Sequence, residues 1–266
     1  MELTSAQNPK IKHLLLLQQK SQQRRREGLF VVEGRRELEH CLAAGYQADS
    51  LYLCEELCTQ FSIPAGCQNV YAVPRFLYEK IAYRGSTEGI VAIVKEHRLT
   101  LADLPVGPSD QPTPAPLLVV LERVEKPGNL GAVLRSADAA GATAVIVCDP
   151  LTDLYNPNLI RSSIGALFSV PTVACSSEEC IRFLQQHHVN ILTAQLQDSR
   201  PYYHTDMRGP TAIVMGTEST GLTDRWRQAA TAHIRIPMLG RLDSLNVSAS
   251  AAILLFEAVR QRQNVK

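Results

Sequence analysis

The sequence predicts an α/β protein of two domains, the second built on a mostly parallel sheet. Three observations carry this. Short apolar, β-branched runs recur along all 266 residues, and segments of helical character separate them. The later runs are apolar throughout rather than alternating, as strands buried on both faces are. A proline-rich stretch, 104–116, interrupts the pattern once. The predicted division is an N-terminal domain over 1–99, a linker over 100–116 and a C-terminal domain over 117–266.

The opening segment carries Lys10, Lys12, Lys20, Arg24, Arg25, Arg26, Arg35 and Arg36 against few acids, and Leu14 to Leu17 give it a buried face. Two readings stand side by side. One is a solvated helix surface. The other is an electrostatic footprint for phosphates, made by Lys10, Lys12, Arg24, Arg25, Arg26 and Arg35. Strands are expected at 30–34, 50–54, 70–73 and 90–94, with helices near 35–44, 55–61 and 75–82. Proline denies ladder donors and helix continuation, so 104–116 reads as a semi-stiff linker. Beyond it, strands fit 117–121, 144–148, 170–173, 191–194, 212–215 and 233–236. Helices fit 129–140, 158–166, 177–187, 223–230 and 246–262.

Composition narrows the classes of function. No apolar run approaches the roughly 18 residues of a membrane span, and the N-terminus lacks a signal peptide's apolar core. The net charge is only +1, so a nucleic-acid footprint has to be local. The seven cysteines form no Cys-x-x-Cys pair. Isolated buried thiols in a reducing cytoplasm are expected, and no metal site.

In a parallel sheet, ligands sit beyond the carboxyl ends of the strands. Three stretches there stand out. The first runs from Glu122 through Asn129 and Arg135 to Gly141. Leu130, Val133, Leu134 and Ala137 make its helix amphipathic. Arg135 either pairs with Asp138 or reaches a phosphate with its planar guanidinium. The second runs from Ile213 to Leu222, where Gly216 and Gly221 flank Glu218. It is either a tight turn with a solvated carboxylate or a close backbone approach to a ligand. The third is Ile236 to Arg260, a polar loop followed by a helix whose Val247, Ala251, Leu254, Leu255 and Ala258 share one face. Ser244 and Asn246 are good capping residues, and the loop is either a capped helix start or a polar-ligand site. The glycines of the first stretch match neither the dinucleotide fingerprint nor a phosphate-binding loop with its lysine, which excludes a nicotinamide or nucleoside-triphosphate site in that loop.

Together the three stretches resemble the signature motifs of the SpoU family of RNA ribose 2′-O-methyltransferases, in the SPOUT superfamily. Asn129-Leu-Gly-x-x-x-Arg135-x-x-Asp138-x-x-Gly141 is similar to the first motif, and Met215-Gly-Thr-Glu218-x-x-Gly-Leu222 to the second. Ile236-Pro-Met-x-Gly-x-x-x-Ser244-Leu-Asn-Val-Ser248 is similar to the third. This likeness spans about 117–262. Residues 5–94 resemble the family's N-terminal substrate-binding domain through Asn8-Pro-Lys-Ile-Lys12, Gly28-Leu-Phe-Val-Val-Glu-Gly34 and Gly89-Ile90. The chain departs at Lys126-Pro127, where the family has Asp-Pro, at Ser219, often glycine, and at Thr87-Glu88-Gly89, often Pro-Gln-Gly.

The resemblance implies a C-terminal trefoil knot holding S-adenosyl-L-methionine, an obligate homodimer, and methyl transfer to a ribose 2′-hydroxyl of structured RNA in the cytoplasm. Ribosomal RNA ranks ahead of transfer RNA, and a non-catalytic RNA-binding protein of the same fold is the rival class. By the same resemblance, Asn129 and Arg135 place the target nucleotide. Gly216, Thr217, Ile236, Met238 and Leu245 hold the cofactor, largely through backbone groups. Glu218, Ser244 and Asn246 orient the loops and the ribose. The family's arginine is usually described as the base, but arginine pKa values lie above about 12, which makes phosphate anchoring physically easier for Arg135.

Overall fold

The computed structural model describes residues 1–263 except Gln60, Ala65, Gln68, 84–87, 108–113, Glu218 and Ser219. The chain forms two compact units: Met1–His97 with Asp153–Ser169, and Arg98–Thr152 with Val170–Lys266.

In the first unit, α1 (Pro9–Gln19) begins at Asn8, whose side chain accepts from the Lys10 N–H at 3.0 Å. α2 (Ser21–Glu27) ends at Gly28 in the left-handed conformation. There follow β1 (Leu29–Glu33), α3 (Arg35–Ala43), β2 (Ala48–Leu53), β3 (Asn69–Ala72), α4 (Arg75–Ile81) and β4 (Ile90–Lys95). The sheet order is β1-β4-β2-β3, with β4 antiparallel to β1 and β2 and β2 parallel to β3. Ile11, Leu14 and Leu17 join Val31, Tyr52, Leu77, Val91 and Ile93 in one core. The helix expected near 55–61 is absent among the described residues. A turn at 55–57 stands there instead, closed by the Cys58 N–H on the Cys54 carbonyl at 2.8 Å.

The second unit starts with β5 (Leu117–Glu122), α5 (Pro127–Ala139) and β6 (Ala144–Cys148). The chain then supplies α6 (Pro157–Ser163) and α7 (Ala166–Ser169) to the first unit, a segment that the sequence alone had put in the C-terminal domain. Tyr155 explains that placement: its ring stacks on Phe30 at 4.2 Å, and its hydroxyl donates to the His97 carbonyl at 2.7 Å. The second unit resumes with β7 (Thr172–Cys175), α8 (Ser177–Gln186), β8 (Asn190–Ala194), β9 (Arg200–Pro201), β10 (Thr211–Met215), α9 (Asp224–Ala229), β11 (Ala232–Arg235) and α10 (Val247–Gln263). β7 begins two residues later than expected, because Pro171 has no N–H to give the ladder. The two-residue β9 was not expected.

The sheet order is β7-β6-β5-β10-β8-β11-β9, and all six pairings are parallel. Leu118, Val120, Ile146, Ile191, Val214 and Trp226 share one core. Residues 100–107, read from sequence as linker, pack onto it through Leu101, Leu104 and Val106, all of them apolar. α5 and α10 pack on each other, each presenting the apolar stripe its spacing predicts. β10 lies between β5 and β8, with β11 beyond, so the carboxyl ends of β5, β10, β8 and β11 are neighbours and their loops converge.

Candidate active site

The loop after β10 is held by backbone contact. A Cβ on Gly216 would lie 2.3 Å from the carbonyl carbon and oxygen of Gly221 and 2.6 Å from the Leu222 nitrogen. The close approach that the two glycines predicted is therefore the loop folding on itself. Thr217 and Gly221 form an isolated bridge, and the Thr220 N–H donates to Thr217 Oγ1 at 3.0 Å. Downstream, Thr223 donates through its N–H (2.8 Å) and hydroxyl (2.7 Å) to Glu122, a buried carboxylate at the end of β5. Ser177 Oγ donates to the same carboxylate at 3.3 Å. Glu122 thus ties this loop to β5 and α8, a role that sequence reasoning missed. The signal was present: a carboxylate closing an otherwise apolar strand.

The loop after β11 ends at Asn246. Its Oδ1 accepts from the N–H (3.0 Å) and hydroxyl (2.6 Å) of Ser248, capping α10. Its Nδ2 donates to Asn129 Oδ1 at 3.2 Å, joining the third stretch to the first. Ser244 does not cap the helix; its hydroxyl donates to Asp243.

Two adjoining cavities lie here. The larger, about 630 Å³, is lined by Gly216, Thr217, Ile236, Met238 and Leu245 together with Ser244 and Asn246. The smaller, about 130 Å³, is lined by Lys126 and Asn129, and shares Gly216, Thr217 and Val247 with the larger. Glu218 lies outside the described residues. Arg135 is exposed on α5 and lines neither cavity. Gln195 and Arg227 also line the larger cavity, and sequence reasoning missed both. Gln195 Oε1 and Arg227 Nε are buried without a hydrogen-bond partner among the described residues. A cavity of this size with polar side chains in its wall suits a polar, nucleoside-bearing cofactor such as S-adenosyl-L-methionine. Gln195 directly follows β8, the same position in the sheet that marked the other loops.

Comparisons with known proteins show the family to which this fold belongs. The model of the SpoU rRNA Methylase family matches residues 116–256, and that of the MRM3-like substrate binding domain matches residues 8–92. A 23S rRNA (guanosine-2′-O-)-methyltransferase, RlmB, of Yersinia pestis is 41% identical over 180 residues, 67% of this chain and 72% of that protein. The chain belongs to the SpoU rRNA methylase family. Among solved structures, an RNA 2′-O ribose methyltransferase superposes with a TM-score of 0.82 at 38% identity, covering 99% of this chain and 100% of the other. An AdoMet-bound rRNA methyltransferase from Sinorhizobium meliloti superposes with a TM-score of 0.86 at 29% identity, covering 98% and 97%.

In the family's substrate-binding unit, the basic residues divide. Lys12 and Arg25 are exposed. Lys10 is exposed and lies over the Tyr71 ring at 4.2 Å. Arg26 pairs with Glu27 and Arg35 with Glu39, both at the surface. Arg24 has to be removed from the expected RNA footprint. Its side chain is 5% exposed, pairs with Asp153 at 2.7 Å and donates to the Leu17 and Gln18 carbonyls. A guanidinium so occupied holds α1 and the 153–169 segment in place. No helix among the described residues is long and apolar enough to cross a membrane.

Proposed function

We propose that this protein is an S-adenosyl-L-methionine-dependent methyltransferase acting on a ribose 2′-hydroxyl of ribosomal RNA in the cytoplasm, and that its target is a guanosine of 23S rRNA. The observation that carries the reading is the convergence of three loops on two adjoining cavities, bridged by the Asn246–Asn129 hydrogen bond. The target nucleotide rests on the name of the RlmB relative.

The cofactor supplies an electrophilic methyl group bonded to a sulfonium sulfur. The chain's part is alignment, since the displacement requires the acceptor oxygen, methyl and sulfur in line. The larger cavity is the cofactor site, with Gly216, Thr217, Ile236, Met238 and Leu245 as its wall and Gln195 and Arg227 as polar contacts. The smaller cavity, beside Asn129, receives the ribose. Asn246 holds Asn129 in position while capping α10. Glu218 and Ser244 belong to the loops that frame the ribose. Arg135, exposed and planar at its tip, suits bidentate anchoring of an RNA phosphate rather than proton removal.

We also read the protein as a homodimer. Leu239 is 99% exposed, Leu242 78% and Phe256 49%, apolar side chains that a second copy would cover in this reading. The C-terminal segment carries the family's trefoil knot in this reading, supported by β10 lying between β5 and β8 and by α10 returning onto α5. Mapping ribose 2′-O-methyl groups in ribosomal and transfer RNA, with and without the gene, tests the proposal. Loss of one guanosine mark in 23S rRNA is expected. Loss confined to transfer RNA, or no lost mark and no methyl transfer in vitro, overturns it.

A further inference from the structure

Three of the seven cysteines come together, against the expectation of isolated thiols. Cys148 ends β6 and Cys175 ends β7, and the two are Cα partners in the parallel ladder. Cys180 lies in the first turns of α8, directly beyond β7. The three sulfur atoms all lie within 4.8 Å of one another. Cys148 and Cys180 are fully buried, and Cys175 is half-buried.

We propose that Cys148, Cys175 and Cys180 form a binding site for one thiophilic d¹⁰ cation, Zn²⁺ or Cu⁺. The site stands apart from the methyltransferase cavities and does not depend on them. The geometry fits the ion. A metal–sulfur bond of about 2.3 Å in a trigonal arrangement separates the sulfurs by about 4 Å, so the three thiols need to contract by less than about 1 Å. Soft sulfur donors select these ions over magnesium or calcium. The positive end of the α8 N-terminus favours thiolate on Cys180. On binding, the ion bonds to all three sulfurs and their thiol protons are released to solvent. Cu⁺ is satisfied by three sulfurs. Zn²⁺ completes a tetrahedron with a water reaching it past Cys175, the half-buried member.

The test uses the full chain, reduced and freed of metal. Co²⁺, standing in for Zn²⁺, is expected to give a thiolate-to-metal charge-transfer band that saturates at one ion per chain and is abolished by added Zn²⁺. Cu⁺ is titrated against a chromophoric Cu⁺ chelator. Tight binding in only one arm identifies the ion. The band, or the Cu⁺ competition, is expected to be lost in Cys175→Ser and kept in Cys58→Ser and Cys67→Ser. Should Cys175→Ser fail to fold, the wild-type protein answers the same question, because the bound ion should protect Cys175 from maleimide. Absence of binding in both arms, binding that survives Cys175→Ser, or a Cys175 that alkylates equally with and without metal overturns the proposal.

Discussion

Gly216→Ala is the sharpest test of the loop geometry. Gly216 does not have positive φ, so alanine meets no backbone penalty there; the obstacle is space. The added methyl would sit 2.3 Å from the Gly221 carbonyl, over 1 Å inside the 3.4–4 Å of ordinary contact, and against backbone that has no rotamer to change. Overpacking of this kind costs about 1–3 kcal/mol. Loss of unfolded-state freedom returns about 0.4–1 kcal/mol. A net destabilisation of about 1–2 kcal/mol is expected. Function should suffer more than stability. Relief requires the backbone at Gly221 and Leu222 to move by about 1 Å, and a misplacement of that size costs roughly a hundredfold in rate. Denaturant unfolding, calorimetry with S-adenosyl-L-methionine and single-turnover methylation read the three quantities. Gly128→Ala is the control, in the first turn of α5, where an added Cβ meets nothing within 4 Å. It should be neutral or stabilising by up to about 1 kcal/mol. A Gly216→Ala protein with wild-type stability and cofactor affinity would refute the argument.

Arg24→Ala removes one partner of a buried ion pair and leaves the Asp153 charge uncompensated, so a loss of about 3–5 kcal/mol is expected in urea unfolding. Neutralising Arg25 and Arg26 should instead leave stability within about 0.5 kcal/mol and flatten the salt dependence of RNA binding; an unchanged salt slope would return them to a solvated surface. Arg135→Ala should fold normally and bind cofactor, yet lose most methyl transfer, and Arg135→Lys should stay poor at every pH because it lacks the planar fork. Activity in the lysine variant that recovers toward about pH 10 would favour a base over an anchor. Hydrogen bonds from Arg260 and then Gln261 hold the Glu257 carboxyl below its ordinary value. Its contribution is therefore complete above the unfolded value of about 4.3 and is lost as pH falls through the lower folded value. Glu257→Gln should flatten that acid limb of stability, as followed by helix signal against pH.

The sequence by itself determined the α/β class, nearly every strand, and several of the residues that line the larger cavity, such as Gly216, Ile236 and Leu245. Those depend on local rules. Continuous apolar runs mark buried strands, the 3.6-residue stripes of α5 and α10 mark their buried faces, and Gly216, Asn129 and Asn246 stand at strand or helix ends where backbone groups are free. Tertiary structure alone decided what depends on partners far along the chain. Arg24 reads as one more charge in a basic run until Asp153, 129 residues away, meets it in a buried pair. Cys148 and Cys175 are unrelated in sequence, and only the β6–β7 register makes them neighbours. Tyr155 lies between two elements of the C-terminal sheet in sequence, but its ring finds its apolar surface on Phe30, within the first unit. Local propensity is written within a few residues, whereas burial and pairing belong to surfaces assembled only when the strands have chosen their neighbours.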